Sequence, residues 1–132
     1  MFLTYVALAH KASKKSSTIG VFFPDFPGLI CAGNSLDEAI EKSREGLIFH
    51  MEGLLNQGEV LPKPTSLEKI MQDSENKKAT PCLIHVIPPK GELKRVNISI
   101  DAGLLAEIDH TAGLVGKNRS EFLSYAARQV LG

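Results

Sequence analysis

Two apolar runs separated by a polar loop open the chain. FLTYVALA (2–9) and TIGVFF (18–23) flank the loop KASKKSS, and this arrangement predicts a β-hairpin. Pro24 ends the second run, and the segment FPGL (26–29) places Pro and Gly at the two central positions of a type II turn. We therefore expect a third strand, LICA (29–32), directly after the turn.

A long amphipathic helix is predicted over about 36–57. Ser35 and Glu38 form a candidate capping box, in which each side chain accepts the other residue's backbone amide, and Gly58 ends the pattern. Counting about 100° per residue gives one apolar stripe: Leu36, Ala39, Ile40, Ser43, Leu47, His50, Met51 and Leu54. The same count places Phe49 on the polar face, as ordinary surface or as an anchor for a partner or for a later segment of the chain.

The stretch after this helix is polar and interrupted by prolines. LPKPTSLEKIMQDSENKK (61–78) leaves room for at most one short helix, at 66–72, and CLIHVI (82–87) then supplies a fourth strand. The order strand, strand, strand, helix, strand predicts an α+β layer with one sheet face covered by the long helix.

A proline- and glycine-containing segment divides the chain. PPKGE (88–92) breaks both helical and strand patterns and indicates a hinge. We therefore predict a first domain over 1–88, a linker over 89–94 and a second domain over 95–132.

The second domain begins with a strict alternation in the segment RVNISID. The apolar positions are Val96, Ile98 and Ile100, and the polar ones are Arg95, Asn97 and Ser99. One strand alone leaves its backbone groups unpaired, and a segment shorter than roughly 40 residues rarely buries enough apolar surface to fold by itself. Antiparallel pairing between two copies solves both problems, so the sequence predicts a homodimer through these strands. Assembly of adjacent dimers into a higher oligomer is the alternative.

Two helices follow this strand. The first covers about 101–112 and ends at Gly113 or Gly116. The second has Asn118 as its N-cap and Glu121 in a second box-like pair. In the paired ribbon, the polar side chains point outward, and a ribbon of this width fits the major groove of DNA, where Arg and Asn can read base edges.

The segment RVNISIDAGLLAEIDHTAGLVGKNRSEFLSYAARQVL resembles a ribbon-helix-helix DNA-binding domain. The resemblance implies that Asn118, Arg119 and Ser120 hold a DNA phosphate, and free amides at a helix N-terminus attract anions in any protein. Alternatively, Asn118 only caps the helix and Arg119 is a solvated charge. The candidate DNA-binding residues are Arg95, Asn97, Ser99, Asn118, Arg119 and Ser120.

Charge and composition narrow the classes of function. Fifteen basic residues balance fifteen acidic ones, so the whole molecule has no attraction for nucleic acid or an anionic membrane. Within 94–132, five basic residues stand against four acidic ones, which predicts weak nonspecific DNA affinity. No apolar stretch approaches a membrane span, and we expect a cytoplasmic protein. Cys31 and Cys82 are expected to be reduced and buried, the alternatives being a disulfide or a metal site.

The N-terminal region is similar to the HicB antitoxins. VFFPDFPGLICAGNSLDEAIEKSREGL and the later GEVLPKP carry the resemblance, which extends over nearly the whole chain. It implies a partial ribonuclease-H-like fold for 1–88, and a domain that blocks a small HicA-like RNase toxin while the C-terminal tail represses the operon. The candidate toxin contacts are Asp25, Phe26 and Phe49; Asp25 could instead accept local amides within its turn.

The first domain is not predicted to be an enzyme. A ribonuclease-H-like nuclease needs carboxylates that converge on metal ions, whereas the acidic residues of the long helix spread over its solvent face. We expect no catalytic residue, metal or cofactor. The alternative function is a dimeric transcriptional repressor whose first domain senses a small ligand, which a pocket with convergent polar groups in 1–88 would favour.

Overall fold

The computed structural model describes residues 2–132 and divides them into two compact units. The first unit ends at Leu93 and the second spans Lys94–Gly132. Within the described residues, we find no helix long and apolar enough to cross a lipid bilayer.

The first unit contains a four-stranded antiparallel sheet. Its strands are β1 (Leu3–Lys11), β2 (Ile19–Phe22), β3 (Ile30–Gly33) and β4 (Thr80–Val86). They lie side by side in the order β3-β2-β1-β4, so β1 is central and pairs with both β2 and β4. The predicted hairpin, the third strand and the fourth strand are confirmed, with each boundary within two residues of its expected position.

The turn between β2 and β3 follows the predicted type II geometry. The Leu29 amide donates to the Phe26 carbonyl over 3.1 Å. Gly28 has a φ of 89°, a left-handed value that glycine adopts without steric cost. The dipeptide Pro27-Gly28 therefore sets the direction in which β3 leaves the turn.

Helix α1 (Leu36–Asn56) covers one face of the sheet, as the periodicity predicts. Its buried residues are Ala39, Ser43, Leu47 and Met51, which pack with Tyr5, Ala7, Val21 and Ile84 of the sheet. The Ser35 hydroxyl accepts the Glu38 amide over 3.1 Å. The expected return bond to Ser35 is absent, because the Glu38 carboxylate instead forms a 3.0 Å ion pair with Lys42. The hydrogen bond from Lys42 also lowers the pKa of Glu38.

The opposite face of the sheet is covered in part, which the sequence pattern did not predict. Helix α2 (Leu67–Met71) lies in the polar stretch and places the nearly buried Ile70 against Val6 and Leu8 of β1. A single 3-10 turn, Ser74–Asn76, follows α2. Because both its faces are covered, β1 is buried from Tyr5 to Ala9. The predicted cover of one face by α1 is thus confirmed, and the partial cover of the other face adds to it.

The expected linker packs on the first unit at its beginning. The Glu92 amide donates to the Asn56 side chain over 3.0 Å at the end of α1. Gly91 has a φ of 77°, and a Cβ on it would stand 3.1 Å from that of Leu55. The chain therefore stays against α1 as far as Glu92.

The second unit consists of two capped helices, α3 (Ala102–Leu114) and α4 (Arg119–Leu131). Gly116, with a φ of 70°, lies in the turn after α3 rather than Gly113. The predicted box at α4 is complete, because Glu121 donates its amide to Asn118 over 2.8 Å and accepts the Asn118 amide over 3.3 Å.

The segment before α3 does not form a strand within the single chain. Residues 95–100 make no backbone hydrogen bond to any other part of 2–132, and Val96 and Ile98 are 74% and 63% exposed. A strand exists only where a neighbour completes its ladder, and the chain offers none here. Pairing between two copies thus stays a prediction.

Candidate functional site

Asp25 connects the β2–β3 turn to a distant part of the chain. Its carboxylate accepts the Thr65 hydroxyl over 2.6 Å and the Thr65 amide over 2.9 Å, across 40 positions of sequence. Close by, the Tyr5 hydroxyl donates to the Pro62 carbonyl over 2.6 Å. Burial, with a smaller contribution from the charge of Asp25, raises the pKa of Tyr5. The expectation that Asp25 accepts local amides is wrong, and its role as a toxin contact stays a prediction.

Replacing Asp25 by Ala is expected to lower the free energy of unfolding by about 1–3 kcal/mol, because two charge-assisted hydrogen bonds are lost. Urea titration of the two proteins measures the difference. Thr65→Val serves as the control, since it removes only the hydroxyl bond and should cost less than Asp25→Ala. Equal stability of Asp25→Ala and the parent chain would show that this link does not stabilise the fold.

Phe26, a candidate toxin contact, lies in the hydrophobic core. Its side chain is only 2% exposed, and its ring meets those of Tyr5, Phe23 and His50 edge to face, at centroid distances of 4.8, 6.4 and 5.9 Å. The turn packs against α1 and so buries Phe26, although a residue in a turn sequence of this kind is expected to be exposed. The Phe26 ring cannot reach a partner in this conformation, so this candidate does not belong to an accessible surface.

Phe49, in contrast, lies fully on the outside of α1. Its side chain is 79% exposed, as the helical count predicts, and the exposed Glu45 and Glu52 are its helical neighbours on either side. An exposed aromatic ring between carboxylates can contact apolar groups and also attract basic side chains. Phe49 is therefore the accessible aromatic candidate among the three expected toxin contacts.

The candidate DNA-binding residues fall in two groups of the second unit. Arg95, Asn97 and Ser99 are all exposed in the unpaired segment 95–100. At the start of α4, the Asn118 side chain caps the helix, while the amides of Arg119 and Ser120 have no hydrogen-bond partner within residues 2–132. Free amides and the positive end of the helix dipole make this terminus suitable for an anion.

Arg119 forms an ion pair within the second unit. It is therefore not the isolated solvated charge that one of its two expected roles required. Its Nε and Nη2 atoms donate to the two carboxylate oxygens of Asp109 over 3.0 and 2.8 Å. The hydrogen bond from Arg119 lowers the pKa of Asp109, and the same contact raises the pKa of Arg119. Sequence analysis missed Asp109, because this contact joins two different helices and no periodicity within one helix signals it.

The second unit leaves much of its apolar surface uncovered. Only Ile108 and Ala112 are buried among its described residues. Its large exposed apolar side chains are Val96, Ile98, Leu104, Leu114, Val115, Tyr125, Val130 and Leu131. An exposed apolar surface of this kind is typical of a part that associates with another molecule.

A cavity lies within each unit of the described residues. In the first, a cavity of about 300 Å³ lies between the end of α1 (Glu52, Asn56) and residues 89–92, so it is not confined to 1–88 as the ligand-sensing alternative expects. In the second, a cavity of about 330 Å³ is lined by Ile98, Ser99, Ile100, Leu105, Arg119 and Leu123.

Residues 2–132 contain no cluster of three or more potential metal ligands from His, Cys, Asp and Glu. Cys31 and Cys82 carry free thiols and are half-buried rather than buried.

Comparisons with known proteins extend over both units. The profile of a family described as "HicB_like antitoxin of bacterial toxin-antitoxin system" matches residues 5–127. The chain is 36% identical over 111 residues to the "Uncharacterized 14.9 kDa protein in rep-hol intergenic region" of Haemophilus phage HP1, which covers 81% of this chain and 84% of that protein.

Solved structures give the same result. The crystal structure of the Burkholderia pseudomallei antitoxin HicB aligns with a TM-score of 0.59 and 30% identity, covering 98% of this chain and 96% of that one. A chain of the "HicA3 and HicB3 toxin-antitoxin complex" aligns with a TM-score of 0.51 and 25% identity, covering 66% of this chain and 99% of that one. The protein therefore belongs to the HicB-like antitoxin family of bacterial toxin-antitoxin systems.

Proposed function

We propose that this protein is a non-enzymatic antitoxin that neutralises a HicA-like RNase toxin through its first unit and represses its own operon through its second. The observation that carries the proposal is the family match over residues 5–127, which includes both units. The similarity to a chain of a complex between HicA3 and HicB3 supports a toxin of the HicA type as the partner.

The first unit supplies the surface for the toxin in this proposal. We interpret its sheet and α1 as the partial ribonuclease-H-like domain that the family resemblance implies. Phe49 projects from α1 between exposed carboxylates, and an RNA-binding toxin presents basic side chains. Contact at this surface covers the RNA-binding or catalytic residues of the toxin and so prevents cleavage.

Mixing the purified chain with a HicA-like toxin encoded beside its gene tests this half of the proposal. We expect the two proteins to elute together in size-exclusion chromatography and RNA cleavage by the toxin to stop. An unrelated RNase in the same assay serves as the control and should keep its activity. Separate elution together with unimpaired cleavage would contradict toxin neutralisation.

The second unit supplies the DNA-binding surface in this proposal. Its unpaired segment 95–100 and its exposed apolar side chains support pairing of two copies, with Arg95, Asn97 and Ser99 on the outer side of the resulting ribbon. The free amides of Arg119 and Ser120 then hold a phosphate beside the groove. A symmetric dimer of this kind binds a short inverted repeat.

Arg95→Ala and Asn97→Ala are each expected to reduce discrimination between operator and altered operator by roughly 1–3 kcal/mol, because good base contacts contribute about that much. Fluorescence anisotropy with both DNA sequences measures the ratio. Arg128→Ala is the control, since this exposed residue of α4 lies outside the ribbon and should leave discrimination unchanged. If Asn97→Ala keeps the full ratio, the proposed register of the ribbon is wrong.

A further inference from the structure

Arg119, at the proposed phosphate site, is already engaged by a carboxylate of its own chain. Both oxygens of Asp109 accept hydrogen bonds from its guanidinium, at 3.0 and 2.8 Å, in the bidentate geometry that a phosphate would also take. The pair joins α3 to α4 and neutralises one of the few positive charges of the second unit. A phosphate held by the free amides of Arg119 and Ser120 that also approaches the Nε and Nη2 donors of this side chain thus competes with Asp109 for those two donors.

We propose that Asp109 is an internal competitor for the DNA phosphate at the Arg119 side chain and so weakens DNA binding, which nonspecific DNA, held by phosphate contacts alone, reports most directly. This inference rests on the proposed DNA-binding function. A phosphate gains the Nε and Nη2 donors of Arg119 only by displacing Asp109, which then remains as an unpaired negative charge close to the DNA backbone.

The ion pair between Asp109 and Arg119 is strong enough to reduce DNA affinity and weak enough for a DNA phosphate to displace Asp109. Both side chains are about half exposed, at 55% for Arg119 and 45% for Asp109, and such surface pairs are readily exchanged. The lowered pKa of Asp109 keeps its carboxylate charged at neutral pH. The exchange lowers the affinity for operator and for nonspecific DNA by a similar factor, and an operator stays bound because its contacts to the ribbon add to its affinity.

The salt dependence of binding follows from the same exchange. Each neutralised phosphate releases counterions, but a displaced carboxylate attracts a cation in return, so the two effects offset each other. Removing the Asp109 charge should therefore steepen the fall of log K with log[salt], by less than the roughly 0.9 that one complete phosphate contact contributes.

Asp109→Asn, in the full-length chain, tests the proposal. We expect nonspecific duplex DNA to bind up to about fivefold more tightly per subunit, because an exposed ion pair contributes at most about that factor. Glu107→Gln is the matched control: it lies on the same helix, makes the same change in net charge, and forms no ion pair within residues 2–132. It should raise affinity less and change the salt slope less than Asp109→Asn.

A double variant identifies the route of the effect. If Asp109 acts through Arg119, Asp109→Asn in an Arg119→Gln background should raise nonspecific affinity no more than Glu107→Gln does, because only the change in net charge remains. A gain in that background as large as the gain in the parent chain, or equal gains for Asp109→Asn and Glu107→Gln in the parent chain, would overturn the proposal. Thermal unfolding of each variant excludes a loss of fold as the cause.

Elution from a heparin column tests the competition without operator DNA. Heparin sulfate groups present anionic oxygens as DNA phosphates do, but heparin has no bases for the ribbon to read. Asp109→Asn should elute at higher salt than Glu107→Gln, and equal elution would overturn the competition. If the parent chain binds no operator DNA while the two variants still differ on heparin, the repressor function fails and competition for anions at Arg119 stands.

Discussion

Ile98→Glu is expected to convert the proposed dimer into monomers and to lower operator affinity by at least about 100-fold. Ile98 is the central apolar residue of segment 95–100 and is 63% exposed in the single chain, where it has no strand to pair with. In the predicted ribbon, it is buried against the other copy. A carboxylate there costs several kcal/mol for each chain, since two like charges lose their hydration together.

Sedimentation equilibrium at micromolar concentration measures the assembly, and an operator titration measures the affinity. Ser99→Glu is the matched control, because it adds the same charge to the neighbouring position that faces outward in the predicted ribbon. It should weaken DNA binding but keep the dimer. Dimers of unchanged stability in Ile98→Glu would show that this segment is not the interface.

Phe49→Ala is expected to weaken toxin binding by about 2–4 kcal/mol, the range of an aromatic anchor at the centre of an interface. The ring is 79% exposed on α1, so its removal should change the stability of the free antitoxin by less than about 0.5 kcal/mol. Isothermal titration calorimetry with the toxin, together with an RNA-cleavage assay, measures the loss.

Val60→Ala provides the comparison for Phe49→Ala. Val60 is an apolar side chain that is 91% exposed and lies outside α1, so its truncation removes apolar surface that the proposed interface does not use. Toxin affinity should stay within twofold or so of the parent chain. Equal affinities for Phe49→Ala and the parent chain would remove α1 from the proposed contact.

Local sequence signals predict most of the elements of this fold. The helical period places Leu47 and Met51 in the core and Phe49 in solvent, and the structure confirms all three. These signals work because each depends only on residues within one or two turns of the chain. The predicted capping box at Ser35 shows the limit of these signals. The Glu38 carboxylate could bind either the Ser35 amide or Lys42, and in the structure it forms an ion pair with Lys42.

Contacts between distant segments are the part that local patterns do not reveal. The bond from Asp25 to Thr65 and the burial of Val6 beneath Ile70 depend on how the polar stretch folds back over the sheet. Phe26 shows the same effect, because its position between two prolines suggests an exposed turn while the tertiary fold buries it. The pairing of Asp109 with Arg119 likewise required the packing of two helices.

The segment 95–100 differs from these cases, because its pattern is clear but residues 2–132 offer it no partner strand. Alternation of Val96, Ile98 and Ile100 specifies which side chains share a face, but a strand acquires its hydrogen bonds only from a neighbour. The exposed apolar side chains in the structure are what an unpaired half of an interface would leave.

Hydrogen exchange of the backbone amides in 95–100, measured by mass spectrometry over a series of protein concentrations, tests the pairing of two copies most directly. Amides of an intermolecular ladder should be protected at concentrations where the dimer forms and should lose protection on dilution, while the amides of β1 stay protected throughout. Rapid exchange of 95–100 at every concentration, or protection that dilution does not change, would contradict the account.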